Sequence, residues 1–199
     1  MARWAPATAE RLQTAAMELF TSRGFDQVTA AQIAEAAGTT ERTFFRYFAD
    51  KRDVLFQRQD ALVQAFADGI RSAPASATPM QLVAAAVRSG ADTLPDDQQG
   101  NARTRHGIIA SNPALLERER HKGAAIADGV RQALRERGID DATAVLAAES
   151  TVTIFHLAFT RWLDDDSARP LTDIADEMTL LFAGLASPSR ITRSGDDSR

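Results

Sequence analysis

The sequence predicts an all-α fold, in which an N-terminal three-helix helix-turn-helix domain is joined by a long helix to a helical C-terminal domain. Apolar residues recur at i, i+3, i+4 and i+7 in one segment after another, and no segment alternates with the period of two that is typical of a strand. Helix start and stop residues bound these segments, such as the pair Asn112-Pro113 and the later Gly138. We therefore expect helices throughout the folded part of the chain.

The first helix is predicted to begin near Pro6 and Thr8 and to end at Gly24. One apolar stripe runs along it: Leu12, Ala15, Ala16, Leu19 and Phe20. A stripe of this kind packs one face of a helix on its neighbours and leaves the other face to solvent.

The next stretch carries two short helices joined by a tight turn. Thr29 and Gln32 have the spacing of a capping box, in which each side chain satisfies a backbone N–H group of the first helical turn. Gly38 ends that helix, because a residue in the left-handed region is least strained without a Cβ. Thr40 is placed to cap a second helix over residues 41–47.

That second helix divides into an apolar and a polar face. Phe44 and Phe48 are four residues apart and should face the core. The polar face carries Arg42, Thr43, Arg46 and Tyr47. Arginine can donate two hydrogen bonds to guanine, the threonine methyl can contact thymine, and the tyrosine hydroxyl can donate to phosphate. The second helix of a helix-turn-helix lies against DNA, whereas on an arbitrary helix the same residues would form only a solvated face.

The downstream helices are predicted from the same signals. Asp50 is placed to cap a fourth helix over residues 51–70, which would be about 30 Å long and would join the two halves. After a break at residues 72–79, the remaining helices are expected to begin at Pro79 and to cover about 100–111, 113–137, 141–163 and 172–185. We expect a DNA-binding domain at 1–50, a ligand-binding and dimerisation domain at 51–186, and a disordered tail at 187–199.

Composition excludes several classes of protein. The chain of 199 residues has no cysteine, which rules out disulfides, a thiol nucleophile and a Cys-ligated zinc. No unbroken apolar run approaches the ~20 residues of a membrane span, and the N-terminus lacks the apolar core of a secretory signal, so we expect a cytoplasmic protein without a membrane partner. The net charge is −4, so contact with nucleic acid would depend on a few aimed arginines rather than on a broad basic surface.

No arrangement of residues predicts catalysis. His121 and His156 have no partner at metal-ligand spacing, and residues 164–166 lack the alternating spacing and the glycine of a calcium loop. No serine, histidine and aspartate set lies on a nucleophile elbow or a glycine-rich loop. We therefore predict no enzyme activity, no metal and no cofactor.

The motif residues resemble the TetR family of bacterial repressors over about residues 8–60. The resemblance rests on Phe25, Val28-Thr29, Ile33-Ala34, Ala37-Gly38, the run RTFFRYF from Arg42 to Phe48, and Lys51. It implies phosphate contacts by Thr29, Thr40, Phe45 and Lys51. It also implies that Arg42, Thr43, Arg46 and Tyr47 lie toward the bases. The chain departs from the family at Thr39, where Val is usual, and at Phe45, where Tyr is usual, so one phosphate-directed hydroxyl is missing.

A second resemblance lies further along the chain. Residues 105–120, RHGIIASNPALLERER, resemble the C-terminal domains of regulators related to the mycofactocin type, some of which respond to long-chain acyl-CoA. The resemblance implies an effector of that kind, and a planar aromatic compound is the second candidate.

Aromatic residues on one predicted helix suggest where such an effector would bind. Phe155, Phe159 and Trp162 share a face, which can either fill a core or line a tunnel. Four glycines thin the facing helices and favour a tunnel: Gly90, Gly107, Gly123 and Gly129. Arg103, Arg105 and His106 could meet an acidic head group at its mouth, although a polar helix face would carry the same residues.

The last helix is apolar on more than one side, which predicts a homodimer. Ile174, Met178, Leu181 and Leu185 lie at i, i+4, i+7 and i+11. Paired with the helix before it, this stripe predicts a four-helix seam across a two-fold axis, whereas the alternative is that it belongs only to the core of one chain. A dimer would place two recognition helices on half-sites about 34–36 Å apart, and therefore on a near-palindromic operator.

These predictions together indicate a ligand-responsive transcriptional repressor, released from its operator by a small and largely apolar effector. The alternative is a helical small-molecule carrier or interaction protein that does not bind an operator. Sequence-selective, salt-dependent binding of duplex DNA would distinguish the two.

Overall fold

Helices form every regular element in the part of the chain that this computed structural model describes, residues 5–57 and 59–186. Those residues contain no strand, which confirms the all-α prediction. The helices are α1 (Ala5–Arg23), α2 (Ala30–Ala36), α3 (Glu41–Tyr47), α4 (Asp53–Phe56), α5 (Gln59–Ser72), α6 (Pro79–Ala91), α7 (Gln99–Ala110), α8 (Pro113–Glu136), α9 (Asp141–Asp164) and α10 (Leu171–Ala186). A short 3₁₀ helix, Asp96–Gln98, precedes α7. The predicted tail, 187–199, lies outside the described residues.

The first three helices begin and end where their capping residues predict. Gly24 and Gly38 follow α1 and α2 with φ angles of +81° and +65°, in the left-handed region that favours glycine. Thr29 and Gln32 form the predicted capping box, with both backbone N–H groups bonded to side-chain oxygens. The Thr40 hydroxyl caps α3 by accepting a backbone N–H bond. Local hydrogen bonds therefore set the geometry of the helix-turn-helix.

The predicted continuous helix over residues 51–70 is wrong. Helix α4 ends at Phe56 and α5 begins at Gln59. The carbonyl of Leu55 accepts a hydrogen bond from Nε of Arg105 at 2.5 Å, which takes up an oxygen that a continuous helix would pair four residues further on. The connecting element is therefore a short helix followed by the 14 residues of α5, about 21 Å long at ~1.5 Å per residue.

Helices α5, α6, α8, α9 and α10 form the C-terminal bundle. Gly69 allows α5 to approach α6 closely, since a Cβ there would lie 2.4 Å from the carbonyl oxygen of Ala85. Pro79 opens α6 and Asn112 caps α8, both as predicted, and Asp140 caps α9. By length and composition alone α9 is apolar enough to cross a membrane, but it packs against α6, α8 and α10 as a core helix does.

Two hydrophobic cores divide the described part of the chain. The first lies among α1–α4 and also takes in three residues of the α7–α8 corner: Ile108, Ile109 and Leu115. The second fills the bundle and includes Ile126 of α8 and Trp162 of α9. Helix α8 therefore begins in the first core and continues into the second, so it connects the two cores.

Candidate functional site

Helix α3 presents its polar face away from the protein. Phe44 and Phe48 are buried, as predicted, and this sets the rotation of the helix. Arg42 and Arg46 are exposed on the other side, and the ring of Phe45 is 52% exposed. Across residues 5–57 and 59–186, no acid forms an ion pair with either arginine, so both guanidinium groups are available to an outside partner.

Local bonds arrange the other residues of this face. Arg46 donates to the Tyr47 hydroxyl at 3.4 Å, and its guanidinium lies 5.0 Å from the centre of that ring. The hydroxyls of Thr40 and Thr43 lie 3.0 Å apart, and that of Thr29 accepts the capping bond of α2. A capping hydroxyl accepts through a lone pair, so its own proton can still be donated to an outside oxygen.

Lys51 is engaged inside the protein. Its ammonium donates to the carbonyl oxygens of Phe25 at 2.8 Å, Val28 at 2.9 Å and Asp26 at 3.3 Å. The ammonium also lies 4.4 Å from the centre of the Phe25 ring. An ammonium has three N–H groups, and all three have partners here. Lys51 therefore fastens the loop that precedes α2.

The polar residues predicted at the mouth of a ligand tunnel do not converge. Arg103 donates through Nε to the Leu163 carbonyl at 2.6 Å and so ties α7 to the end of α9. Arg105 instead points toward α4 and α8. The ring of His106 lies 6.1 Å from that of Phe159. Only His106 of this trio is therefore beside the aromatic stripe.

The aromatic stripe packs in the core of the bundle, which is the alternative to the tunnel that the glycines favoured. Phe155 and Phe159 stack with centroids 6.2 Å apart, and Phe159 lies 6.0 Å from Trp162, which is buried. Phe66 of α5 packs edge-on against Phe155 at 4.9 Å. Gly90 does not thin a tunnel wall, because a Cβ there would lie 2.4 Å from the Phe66 ring.

The predicted dimer stripe on α10 splits into two parts. Ile174 and Met178 are buried in the core of their own chain, so their assignment to a dimer interface is wrong. Leu181 and Leu185 point outward and are 60% and 78% exposed. The periodicity of an all-round apolar helix could not show which arc the bundle itself covers.

Helix α9 extends the exposed apolar surface of α10. Arg161 and Glu177 form an ion pair at 3.1 Å, which fixes the register of the two helices. Leu157 lies one turn before Arg161, and Leu181 lies about one turn after Glu177. In an antiparallel pair joined by a short loop these two exposed leucines come to the same level. We name the outward arcs of α9 and α10 around Leu157 and Leu181 the leucine face.

A junction between the two cores was missed in the sequence. The Phe56 ring lies between two guanidinium groups, that of Arg105 at 5.2 Å and that of Arg118 at 4.8 Å from its centre. Arg118 also forms an ion pair with Asp53. The Asp50 carboxylate accepts backbone N–H bonds from Arg52 and Asp53, although the N-cap position of α4 is Arg52 and not Asp50 as predicted. Contacts from α7 and α8 therefore hold the segment that leads out of the helix-turn-helix.

A partly buried charged pair on α8 was also missed, although the sequence carries a signal for it. Leu115, Glu119, Lys122 and Ile126 lie at i, i+4, i+7 and i+11, so two charges interrupt an apolar stripe. Glu119 accepts from Lys122 and, at 3.1 Å, from Arg105 of α7. Charged residues in an apolar stripe require partners from another element, and this is how the pattern could have been recognised.

Two open clefts lie beside the junction. One, of about 590 Å³, is lined by Phe25, Lys51 and Asn112 among others. The other, of about 420 Å³, lies between α1 and α7. Asn112 bridges the first cleft by donating to Asp26 at 3.1 Å. Within the described ranges, no group of side chains has the composition of a metal site.

Comparison with known proteins agrees with this geometry. Residues 12–57 match the family model "Bacterial regulatory proteins, tetR family", and residues 77–186 match "MftR C-terminal domain". The chain is 38% identical over 82 residues to the HTH-type transcriptional regulator TcmR of Streptomyces glaucescens, a match that spans 41% of the chain and only 36% of TcmR. It is 28% identical over 188 residues to the HTH-type transcriptional activator FasR of Mycolicibacterium smegmatis, covering 92% of the chain and 85% of FasR.

A solved structure shows the same fold. The transcriptional regulator FadR of Bacillus subtilis, in complex with stearoyl-CoA, superposes with a TM-score of 0.60 at 19% identity. The superposition covers 86% of this chain and 96% of that one.

Proposed function

We propose a function from the premise that this chain belongs to the TetR family of bacterial regulatory proteins, with a C-terminal domain of the MftR type. The function is that of a ligand-responsive, DNA-binding regulator of transcription. The observation that carries it is the face of α3, where Arg42 and Arg46 are exposed and pair with no acid among the residues that the structure describes. A pair of exposed guanidinium groups one helical turn apart matches the spacing needed to contact neighbouring bases in a major groove.

The contacts with DNA follow from the orientation of α3. Arg42, Thr43, Arg46 and Tyr47 contact base edges or the adjoining phosphates. Thr29 and Thr40 donate their hydroxyl protons to phosphate, and Phe45 packs against the sugar backbone. Lys51 contributes a phosphate contact by exchanging the longest of its internal bonds, that to the Asp26 carbonyl at 3.3 Å.

The regulator acts as a homodimer joined through the leucine face. Leu181 and Leu185 supply the exposed part of α10, and the residues of α9 around Leu157 complete the surface. Two recognition helices related by a two-fold axis then meet half-sites about 34–36 Å apart on a near-palindromic operator.

The effector is a largely apolar molecule that opens the bundle along its aromatic stripe. Phe155 and Phe159 lie along its path, with Trp162 at the inner end, and His106 lies beside Phe159. The complex of the B. subtilis FadR neighbour with stearoyl-CoA supports an acyl-CoA-like molecule as the first candidate, and a planar aromatic is the second. An effector that fits only one domain orientation shifts the dimer toward that orientation and releases the operator, which makes the protein a repressor.

The test is a titration of duplex DNA from the region upstream of the chain's own coding sequence, against a scrambled duplex. Arg42→Ala and Arg46→Ala should each cost about 1–3 kcal/mol on the specific duplex and relax base preference, while Lys51→Ala should weaken both duplexes about equally. Arg71→Ala is the matched control, because this arginine lies on α5 and pairs with Glu136. Equal losses on both duplexes for the α3 variants would remove these arginines from base contact.

The carrier alternative predicts a different outcome of the same titration. A chain that binds the effector but retains no duplex selectively at any salt concentration would be a carrier, and the assignment as a regulator would then be wrong.

A further inference from the structure

A partly buried layer of charged side chains separates the two hydrophobic cores along α8. Leu115 belongs to the first core and Ile126 to the second, and Glu119 and Lys122 lie between them on the same face of the helix. Arg105 reaches this layer from α7. We name Arg105, Glu119 and Lys122 the junction triad. Ligand sites occur preferentially at interfaces between domains.

The junction triad holds two cations against one carboxylate. The NH2 group of Arg105 donates to one oxygen of Glu119 at 3.1 Å, and Lys122 donates to the other. The Lys122 side chain is only 14% exposed. Within residues 5–57 and 59–186, Glu119 is its hydrogen-bond acceptor and no second carboxylate reaches it. The triad therefore keeps one positive charge in excess, beneath a surface where Arg105 and Glu119 still meet solvent.

The pKa shifts of Lys122 and Glu119 are in the direction expected where positive charge is in excess. Burial lowers the pKa of Lys122, Glu119 raises it and Arg105 lowers it further, with a net decrease. Burial acts to raise the pKa of Glu119, but Lys122 and Arg105 outweigh it and hold that pKa below its usual value. Glu119 thus stays ionised, and a second anion near Lys122 would relieve the unfavourable burial of its charge.

Arg105 connects the triad to the DNA-binding side. Its Nε donates to the Leu55 carbonyl at 2.5 Å, and its guanidinium covers the Phe56 ring. One side chain therefore holds both Glu119 and the point where α4 ends. Any group that draws the guanidinium away from Glu119 also strains or breaks the bond to Leu55.

We propose that the junction triad binds the anionic group of the effector, a carboxylate or phosphate attached to an apolar chain, with Lys122 and Arg105 as its donors. The anion binds Lys122 beside the Glu119 carboxylate and draws the Arg105 guanidinium toward itself, and the apolar chain enters the bundle beside Val152, which faces Gly123 next to Lys122. The movement of Arg105 releases Leu55 and so reaches the helix-turn-helix. This proposal rests on the proposed response to an effector, and it moves the head-group site from Arg103 to Lys122.

The test measures binding of three probes with the same chain by calorimetry: dodecanoate, dodecyl phosphate and the uncharged dodecanol. Wild type should bind at least one anion more tightly than the alcohol, and the preferred anion identifies the head group. Lys122→Met keeps the length and removes the charge, and it should weaken the anion by about 10- to 100-fold while leaving dodecanol unchanged. Arg131→Met is the control, since Arg131 lies on the same helix but pairs with Asp128 at the surface.

Glu119→Gln is a second variant, for which the affinity for the anion should change in the opposite direction. Removing the competing carboxylate should tighten anion binding, whereas a purely structural ion pair would give only a loss of stability. Equal anion affinity in wild type and Lys122→Met, or no preference of wild type for either anion over dodecanol, would overturn the proposal. Operator binding measured on the same samples separates this failure from a failure of the proposed regulatory function, because the probe-free protein should bind its operator in either case.

Discussion

Truncation of Leu181 to alanine tests the leucine face most directly. Fully burying a leucine side chain contributes about 1.5–3 kcal/mol. Because 60% of Leu181 is exposed in the single chain, its truncation should remove about 1–2 kcal/mol of the burial that a partner could provide. A two-fold axis presents the residue twice, so the dimer should lose about 2–4 kcal/mol, which weakens the dimer dissociation constant roughly 30- to 700-fold.

Sedimentation equilibrium over nanomolar to micromolar concentrations measures this change. Phe45→Ala is the matched control, because Phe45 is a comparably exposed large apolar residue that lies on α3, and its variant should leave the dimer unchanged. The melting temperature of a Leu181→Ala monomer should differ little from that of the wild-type monomer, since the side chain is outside the core. A dissociation constant within threefold of wild type, or a wild-type protein that is monomeric at micromolar concentration, would refute the reasoning.

Two further predictions concern stability. Gly90→Ala should destabilise the bundle by about 1–3 kcal/mol in urea unfolding, because the new Cβ would lie 2.4 Å from the Phe66 ring. Gly107→Ala is the control and should be neutral or stabilising, because a Cβ there would have no atom within 4 Å. Equal changes in the free energy of unfolding for the two variants would contradict the packing at Gly90. Glu119 has a pKa lowered in the folded state, so its stabilising effect is complete above its unfolded pKa of about 4.5 and is lost as pH falls through the folded value. The melting-temperature difference between wild type and Glu119→Gln should therefore be constant near neutral pH and shrink below about pH 4.5.

The structure is predicted correctly from the sequence where the contacts that determine it are local. The caps at Thr29, Thr40 and Asn112 are bonds between residues two or three positions apart, so a single stretch of sequence specifies them. The rotation of α3 follows from Phe44 and Phe48 for the same reason.

Sequence fails where the determining contact comes from a distant element. The break after Phe56 is associated with a bond from Arg105, fifty residues from Leu55. The apolar circumference of α10 was visible, but only the packed bundle decides that Ile174 faces inward and Leu181 outward. Lys51 likewise finds its carbonyl partners on a loop more than twenty residues earlier.

The packing of Ile108, Ile109 and Leu115 against the N-terminal helices bears on how this chain can be cut and recombined. A fragment that stops at Phe56 would leave uncovered the apolar surface that these three side chains now fill. A chimera that places the N-terminal helices before an unrelated C-terminal domain would expose the same apolar surface unless it also included the α7–α8 corner. New operator specificity is therefore better grafted by exchanging the exposed side chains of α3 in place, where no core atom is disturbed.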